Sequence, residues 1–584
     1  AYLTDSTKGT TPIYQEIANL NSAKSAYGNI VYRKAPSFLR QAEFYLGPDK
    51  FQTAVRAFLK KHEYANAGWE DLVKEFEAAS RTDLKAWANV WVTKPGMPVI
   101  SKKSVKGWDE MHGCCFYSFY QINAQDTGTT WREKTKFLQI VVNSQTNEEQ
   151  TRFTYGLESI GPMTGILTAD DQSKAPFFGE STKGWGGKGK SPFFGLPPDG
   201  TYFVYIPNYQ DYGYGIFLLD DKSRDYVLKN IQNEKDDFLR TMMWGCLWDS
   251  VREGELDPKE YVELVVKNLK LEPDESTIQT LLGRVSTAMR YYIDAKGEPP
   301  ASAGGQGRND DRRTQNKSTR PPANAGGSPL EIRVENLLID RMQNASTPGQ
   351  KITYYRSFLN IASSENARRI MKEILKKSAA PGGSKGEPPA SAGGQAASVR
   401  PAAGKPGSGP PANAGGSAFS TKDRFDIVSR LIILGDPEAP KLLAELEKSE
   451  TSDEAKRYAY AAKAGFATAE NKAKFWNDFV NNKDISERWI EAAFGNFNNV
   501  RHSEITLPYL ERALAELPNL KRNRKIFFVN GWLGAFIGGQ KSEQALAIVN
   551  KFLADNPGLD KDLRLKILEN VDLIERAVKI RARY

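Results

Sequence analysis

The sequence predicts a multidomain α+β chain: a helical segment over residues 1–97, a small antiparallel β-sandwich over 98–221, and an α-helical solenoid over 222–584. Three observations carry this. Apolar residues recur at helical spacing before Pro98 and again after Ser223, whereas short runs rich in β-branched and aromatic residues fill the stretch between. The helical runs after Ser223 are short, successive and joined by brief links, the pattern of antiparallel pairs stacked into an array. Finally, 584 residues, 40% hydrophobic and 11% aromatic, are enough to build several cores.

In chain order, Thr10-Thr11-Pro12-Ile13 reads as a loop and Gln15–Leu20 as a short helix. Residues 27–47 (YGNIVYRKAPSFLRQAEFYLG) read as a turn running into an amphipathic helix. Pro36 suits a first helical position, where the missing N–H costs nothing, and Gly47 suits the residue just past a helix end. Phe38, Leu39, Ala42, Tyr45 and Leu46 fall on one face, which leaves Tyr32 on the turn before the helix, where a phenol can reach a cleft. Asp49 is expected to cap the next helix, which carries Phe51, Val55, Phe58 and Leu59 on one face. Trp69, Leu72, Val73 and Phe76 mark a further helix, and Leu84, Trp87, Ala88 and Trp91 another.

Between Pro98 and Asp221 the strand-like runs are 116–122, 135–142, 151–155 and 201–206. The segment 177–195 alternates glycines with lysines but lacks the spaced Gly-Lys-Ser/Thr of a phosphate loop, so it reads as an exposed loop. In 208–220 (NYQDYGYGIFLLD) glycines 213 and 215 permit a tight or bulged backbone, and the tyrosines read as packing at a domain junction. Beyond it, helices are expected over 238–249, around Tyr261–Leu269, over 331–343 and 351–375, and over 426–434, 439–447, 454–464, 472–481 and 563–574. Two low-complexity insertions, 296–329 and 379–418, share the repeats KGEPPASAGGQ and PPANAGGS, a composition too poor in apolar surface to order itself.

Composition excludes several functions. The net charge of +9 could suit an anionic partner, but the two insertions supply +5 of it and carry no aromatic residues for base stacking, so no nucleic-acid partner is expected. Cysteines 114, 115 and 246 make neither a disulfide framework nor a Cys-x-x-Cys metal pair. No run approaches eighteen apolar residues, so no membrane span is expected. The compartment, bacterial cytoplasm or periplasm, stays open, because a chain that opens on Ala1 inside a domain shows no leader either way.

Residues 27–47 resemble the Tyr-x-Lys-Gly turn and following helix of the gluzincin aminopeptidases of the aminopeptidase N type, with Ala35 where that family usually has Gly. Downstream, 51–66 (FQTAVRAFLKKHEYAN) and 87–98 (WANVWVTKPGMP) resemble the family's next helix and its exit from the catalytic domain, and 208–220 its strand into the last domain. The resemblance implies that 1–97 is the helical end of a thermolysin-like catalytic domain, and that Tyr32 donates a hydrogen bond to the oxyanion of the tetrahedral intermediate. It implies peptide substrates with a free N-terminus, and a zinc ion held by His-Glu-x-x-His and a later Glu, all N-terminal to the Tyr turn. The chain has three histidines, His62, His112 and His502, and His62-Glu63 lacks a second His at i+4. The expectation is therefore the C-terminal part of a zinc aminopeptidase, with zinc in the full-length parent, none bound by this chain, and no activity alone. A zinc-less peptide-binding relative or a helical scaffold is the alternative.

Overall fold

The computed structural model describes residues 2–17, 19, 23–24, 26, 28–105, 116–123, 134–161, 164–169, 200–293, 328–378 and 420–584. The described residues gather into two compact units: those up to 293 with 328–361 and 498–584, and those of 362–378 with 420–497.

In the first unit, a single turn at Tyr2–Asp5 leads through an irregular segment to a π-turn, Ile30–Lys34, that runs directly into helix α1, Ala35–Leu46. The short turn that the sequence places ahead of the helix is thus a wide, π-type one. Pro36 is the physical reason: it cannot donate, and its ring would press on the carbonyl of Tyr32 four residues back, so the chain widens by one residue. The Ala35 N–H accordingly bonds the Ile30 carbonyl, and Ala35 itself is helical (φ −60°, ψ −44°), so no glycine is required there.

Helices α2, Pro48–Lys61, α3, Trp69–Ser80, and α4, Lys85–Thr93, follow. Gly47, at φ +84°, ends α1 and opens α2, with Pro48 in its first turn. Asp49 therefore lies inside the first turn, near the positive end of the helix, and is not the cap. Of the helix expected over 15–20, residues 15–17 are not helical, the Tyr14 N–H before them bonds the Val92 carbonyl (2.9 Å), and residues 18 and 20 lie outside the described residues. Phe38, Ala42, Leu46, Ala54, Val73, Phe76, Leu84, Trp87 and Trp91 share one core with Tyr214, Ile216 and Leu218. Phe38 stacks on Trp87 at 5.0 Å. Fully burying each large apolar side chain contributes about 1.5–3 kcal/mol, so this core holds the helices together. Leu59 and, against expectation, Leu39 are exposed, and the buried place beside Phe38 is taken by Gln41.

Strands β1, Pro98–Val105, β2, Phe116–Asn123, β3, Lys134–Asn143, β4, Glu149–Gly161, β5, Thr164–Ala169, β6, Thr201–Ile206, and β7, Ile216–Leu218, form two sheets. The orders are β2-β1-β7 and β5-β4-β3-β6. All pairs are antiparallel except β1 with β7, which is parallel, where the sequence suggested antiparallel pairing throughout. Strand β3, flanked on both sides, is buried nearly end to end, from Thr135 to Val142 with only Lys136 partly exposed.

Helices α5, Asp221–Asn230, α6, Asp237–Arg252, α7, Pro258–Asn268, α8, Glu275–Thr287, α9, Pro329–Asn344, and α10, Pro348–Ile361, complete this part. Ser328 and Glu331 form a capping box, so α9 starts two residues earlier than the sequence reading and takes in the end of the first insertion. The helix expected over 351–375 is two helices. Ser364 caps a new one, α11, Glu365–Ser378, through the Ala367 N–H (3.1 Å), and the unit boundary falls at the break.

The second unit contains α11, then α12, Thr421–Ile433, α13, Ala439–Ser449, α14, Asp453–Lys463, α15, Ala469–Val480, and α16, Glu487–Phe497. Helix α12 packs on α14, and α14 on α16, so alternate helices stack as in a helical repeat. Returning to the first unit, α17, Ser503–Ala515, α18, Leu517–Asn523, α19, Ile526–Gly538, α20, Glu543–Asp555, and α21, Lys561–Arg583, end the chain. Among the described residues no helix is long and apolar enough to cross a membrane. The Gly/Lys stretch 177–195, residues 296–327 and 379–418 of the insertions, His112, Cys114 and Cys115 lie outside the described residues.

Candidate functional site around Tyr32

Tyr32 sits in the middle of the π-turn, its N–H bonded to the Gly28 carbonyl (3.1 Å). Its side chain is 64% exposed, while Ile30 and Lys34 on either side are buried. The turn therefore presents the phenol outward and is gripped from beneath.

That grip is polar. The Lys34 ammonium is fully buried 3.0 Å from Asp5 Oδ2, and it donates to the carbonyls of Gly96 (2.6 Å) and Lys94 (3.3 Å). Asp5 Oδ2 also accepts from the Tyr214 hydroxyl (3.0 Å), and its Oδ1 from the Gly96 N–H (3.0 Å) and the Thr10 hydroxyl (2.5 Å). Burial pulls the Lys34 pKa below its ordinary value, against the charge and hydrogen bond of Asp5, which favour the ammonium. Tyr214 lies between this pair and the apolar core, 5.9 Å from the Trp91 ring.

Residues 2–10 are seated on the last helix. Lys8 pairs with Glu575 (2.9 Å), and the Thr4 hydroxyl reaches Glu569 (3.4 Å). A Cβ at Gly9 would stand 2.1 Å from the Leu565 carbonyl oxygen and 2.3 Å from the Glu569 nitrogen, so only glycine allows this approach. Asn29, just before the π-turn, donates to the Thr4 hydroxyl (3.1 Å), linking the seated segment to the Tyr32 turn.

Helix α1 also clamps the loop before β7. Arg40 donates to the carbonyls of Gln210 and Asp211 (2.9 Å each), and Gln41 to those of Lys134 (2.7 Å) and Tyr212. Asn208, Gln210 and Asp211 all hold positive φ, of 55°, 65° and 55°, a costly arrangement for non-glycine residues that these bonds maintain. Gly213 and Gly215 serve close approach: a Cβ would meet the Phe217 ring or the Pro98 carbonyl oxygen, respectively, at 2.7 Å.

The histidines are dispersed. His62 ends α2 with its ring 5.2 Å from that of Phe58, and His502 closes a 3₁₀ turn before α17. Among the described residues no three His, Cys, Asp or Glu side chains are gathered as a metal ion would need. A separate polar cleft between the β3–β4 turn and α5 has Arg152 2.8 Å from Glu234, with burial pushing the Tyr226 phenol up to about 12. It shares no residue with the Tyr32 region.

Of this arrangement, the sequence reading singled out Tyr32 and missed Asp5, Gln41 and Tyr214 as its supports. The one signal available was a pair of polar residues, Gln41 and Lys34, in and beside an otherwise apolar helix face.

The peptidase family M1 domain matches residues 1–91. Over all 584 residues the chain is 22% identical to aminopeptidase N of Streptomyces lividans, covering 58% of that protein. Over 105 residues, 18% of this chain and 12% of the relative, it is 37% identical to aminopeptidase M1-D of Oryza sativa subsp. japonica. It is 34% identical to leucyl aminopeptidase of Saccharolobus solfataricus over 103 residues, 18% of this chain and 13% of that one. The chain thus spans less than two thirds of the length of these relatives.

Proposed function

We propose that this relative of the M1 metallo-aminopeptidases is the portion of a zinc-dependent aminopeptidase that lies downstream of the metal ligands, and that it contributes Tyr32 to the hydrolysis of peptides with a free N-terminus. In this reading 1–97 is the helical end of the catalytic domain, 98–221 a β-sandwich and 222–584 a helical array, with activity requiring the upstream zinc site. The observation that carries it is the exposed phenol on a turn whose backbone is held from below. A hydroxyl so placed can donate to an oxygen on which negative charge develops when a peptide carbonyl is attacked, and a fixed donor needs no reorganisation as the charge appears. Lys34, two residues on, is turned inward onto Asp5, Gly96 and Lys94, so its ammonium is not offered to substrate.

The test is cleavage by the full-length native protein of short peptides with a free α-amine, beside the same peptides acetylated at the N-terminus. Stepwise release from the free peptides alone is the expected result. Equal cleavage of both sets, or binding without cleavage of either, overturns the reading.

A further inference from the structure

Tyr32 is mostly exposed, whereas Ile30 and Lys34, two residues to either side of it, are buried. What fixes the turn is its neighbour two residues on. The buried Lys34 ammonium points three ways, to Asp5 and to the carbonyls of Gly96 and Lys94, and three directed bonds define the position of the group that makes them. Asp5 in turn accepts from Thr10, Gly96, Tyr214 and Lys34, so both its oxygens are committed. Four segments of chain, around residues 5–10, 34, 94–96 and 214, are tied at one point.

A buried ion pair is poor evidence for stability, because desolvating two charges offsets most of their attraction and apolar residues of the same volume serve as well. Directed bonds do something apolar packing does not: they select one position for the backbone that carries them. We propose that the buried Asp5–Lys34 pair is a positioning device for Tyr32, setting where its hydroxyl stands relative to the substrate carbonyl. This rests on the reading of Tyr32 as the oxyanion donor.

The experiment compares, in the full-length native protein, Tyr32→Phe, the double variant Asp5→Asn/Lys34→Met and the triple variant. Removing both charges leaves no buried charge unpaired, and Asn keeps an acceptor for Gly96, so the double variant retains a folded core. Turnover, KM and hydrogen exchange of residues 28–35 are read for each. With Tyr32→Phe alone costing about 10²–10³ in kcat, the double variant is expected to lose a comparable factor with KM little changed, and the triple variant to lose less than about twofold more. Exchange in 28–35 should quicken in the double variant while the other helices hold their protection. Losses in kcat that multiply in the triple variant, or exchange in 28–35 that stays at its native rate, overturn the proposal. Native turnover in Tyr32→Phe by itself overturns the oxyanion reading instead, and exchange then decides separately whether the pair holds the turn.

Discussion

Lys472 offers a sharp test of how the second unit is held. Its side chain is completely buried, and its amine donates to the carbonyls of Ala464 and Phe497 (2.8 Å each), at the C-terminal ends of α14 and α16, with the Phe497 ring 4.8 Å away. Burial pulls its pKa down to about 7. In the unfolded chain the same amine titrates near 10.5. Between those two values the unfolded state holds the proton and the native state does not, so stability rises with pH. The full slope is about 1.36 kcal/mol per pH unit, and because Lys472 is half-protonated near pH 7, the gain between pH 7 and 9 is about 2 kcal/mol. Replacing Lys472 with Met removes the titrating group. Hydrogen exchange of the amides of α14 and α15, corrected for intrinsic rates, should show local stability rising by that amount in the native chain and not in Lys472→Met. Parallel pH profiles for the two proteins would refute the reasoning. They would mean that the helix-end carbonyls and the aromatic face keep the ammonium charged despite its burial.

Other predictions follow from the contacts around Tyr32. Gly9→Ala drives a Cβ into the backbone of α21, and the misfit should lower stability by about 1–3 kcal/mol, read as a fall in unfolding midpoint with faster exchange at residues 2–10. Unchanged exchange there would show that the N-terminal segment is not seated on the last helix. Arg40→Met removes the two bonds that hold the left-handed backbone at 210–211, and a loss of about 1–3 kcal/mol is expected. If limited proteolysis cuts the 208–213 loop no faster in that variant, the clamp is not what holds it.

The parts of the fold set by local pattern were legible from the sequence. The helix from 35 to 46 with Phe38 and Ala42 inward and the tryptophans of 85–93 follow from spacing, and strands β2, β3, β4 and β6 from their β-branched and aromatic composition, whereas β1 and β5 were not read. Where reading failed, the cause lay far away in the chain. By spacing Leu39 is an apolar-face residue and Gln41 a surface one, yet Gln41 is buried because backbone groups of Lys134 and Tyr212, 93 and 171 residues on, satisfy its amide. Apolar spacing continues across 361–364, but the Ser364 side chain caps a new helix there, a bond that competes with continuation of the first one. The site shows the same division. Tyr32 could be picked out through its motif, but nothing local marks Asp5, which becomes meaningful only when Lys34, Gly96 and Tyr214 converge on it.

The central claim is that the Tyr32 hydroxyl acts on the substrate, and the most direct measurement is turnover of a free-amine peptide by the full-length native protein carrying Tyr32→Phe. A fall in kcat of about 10²–10³ with KM nearly unchanged is predicted, because the lost bond belongs to the transition state. Native kcat in the Phe variant would contradict it and leave the exposed phenol without a catalytic role.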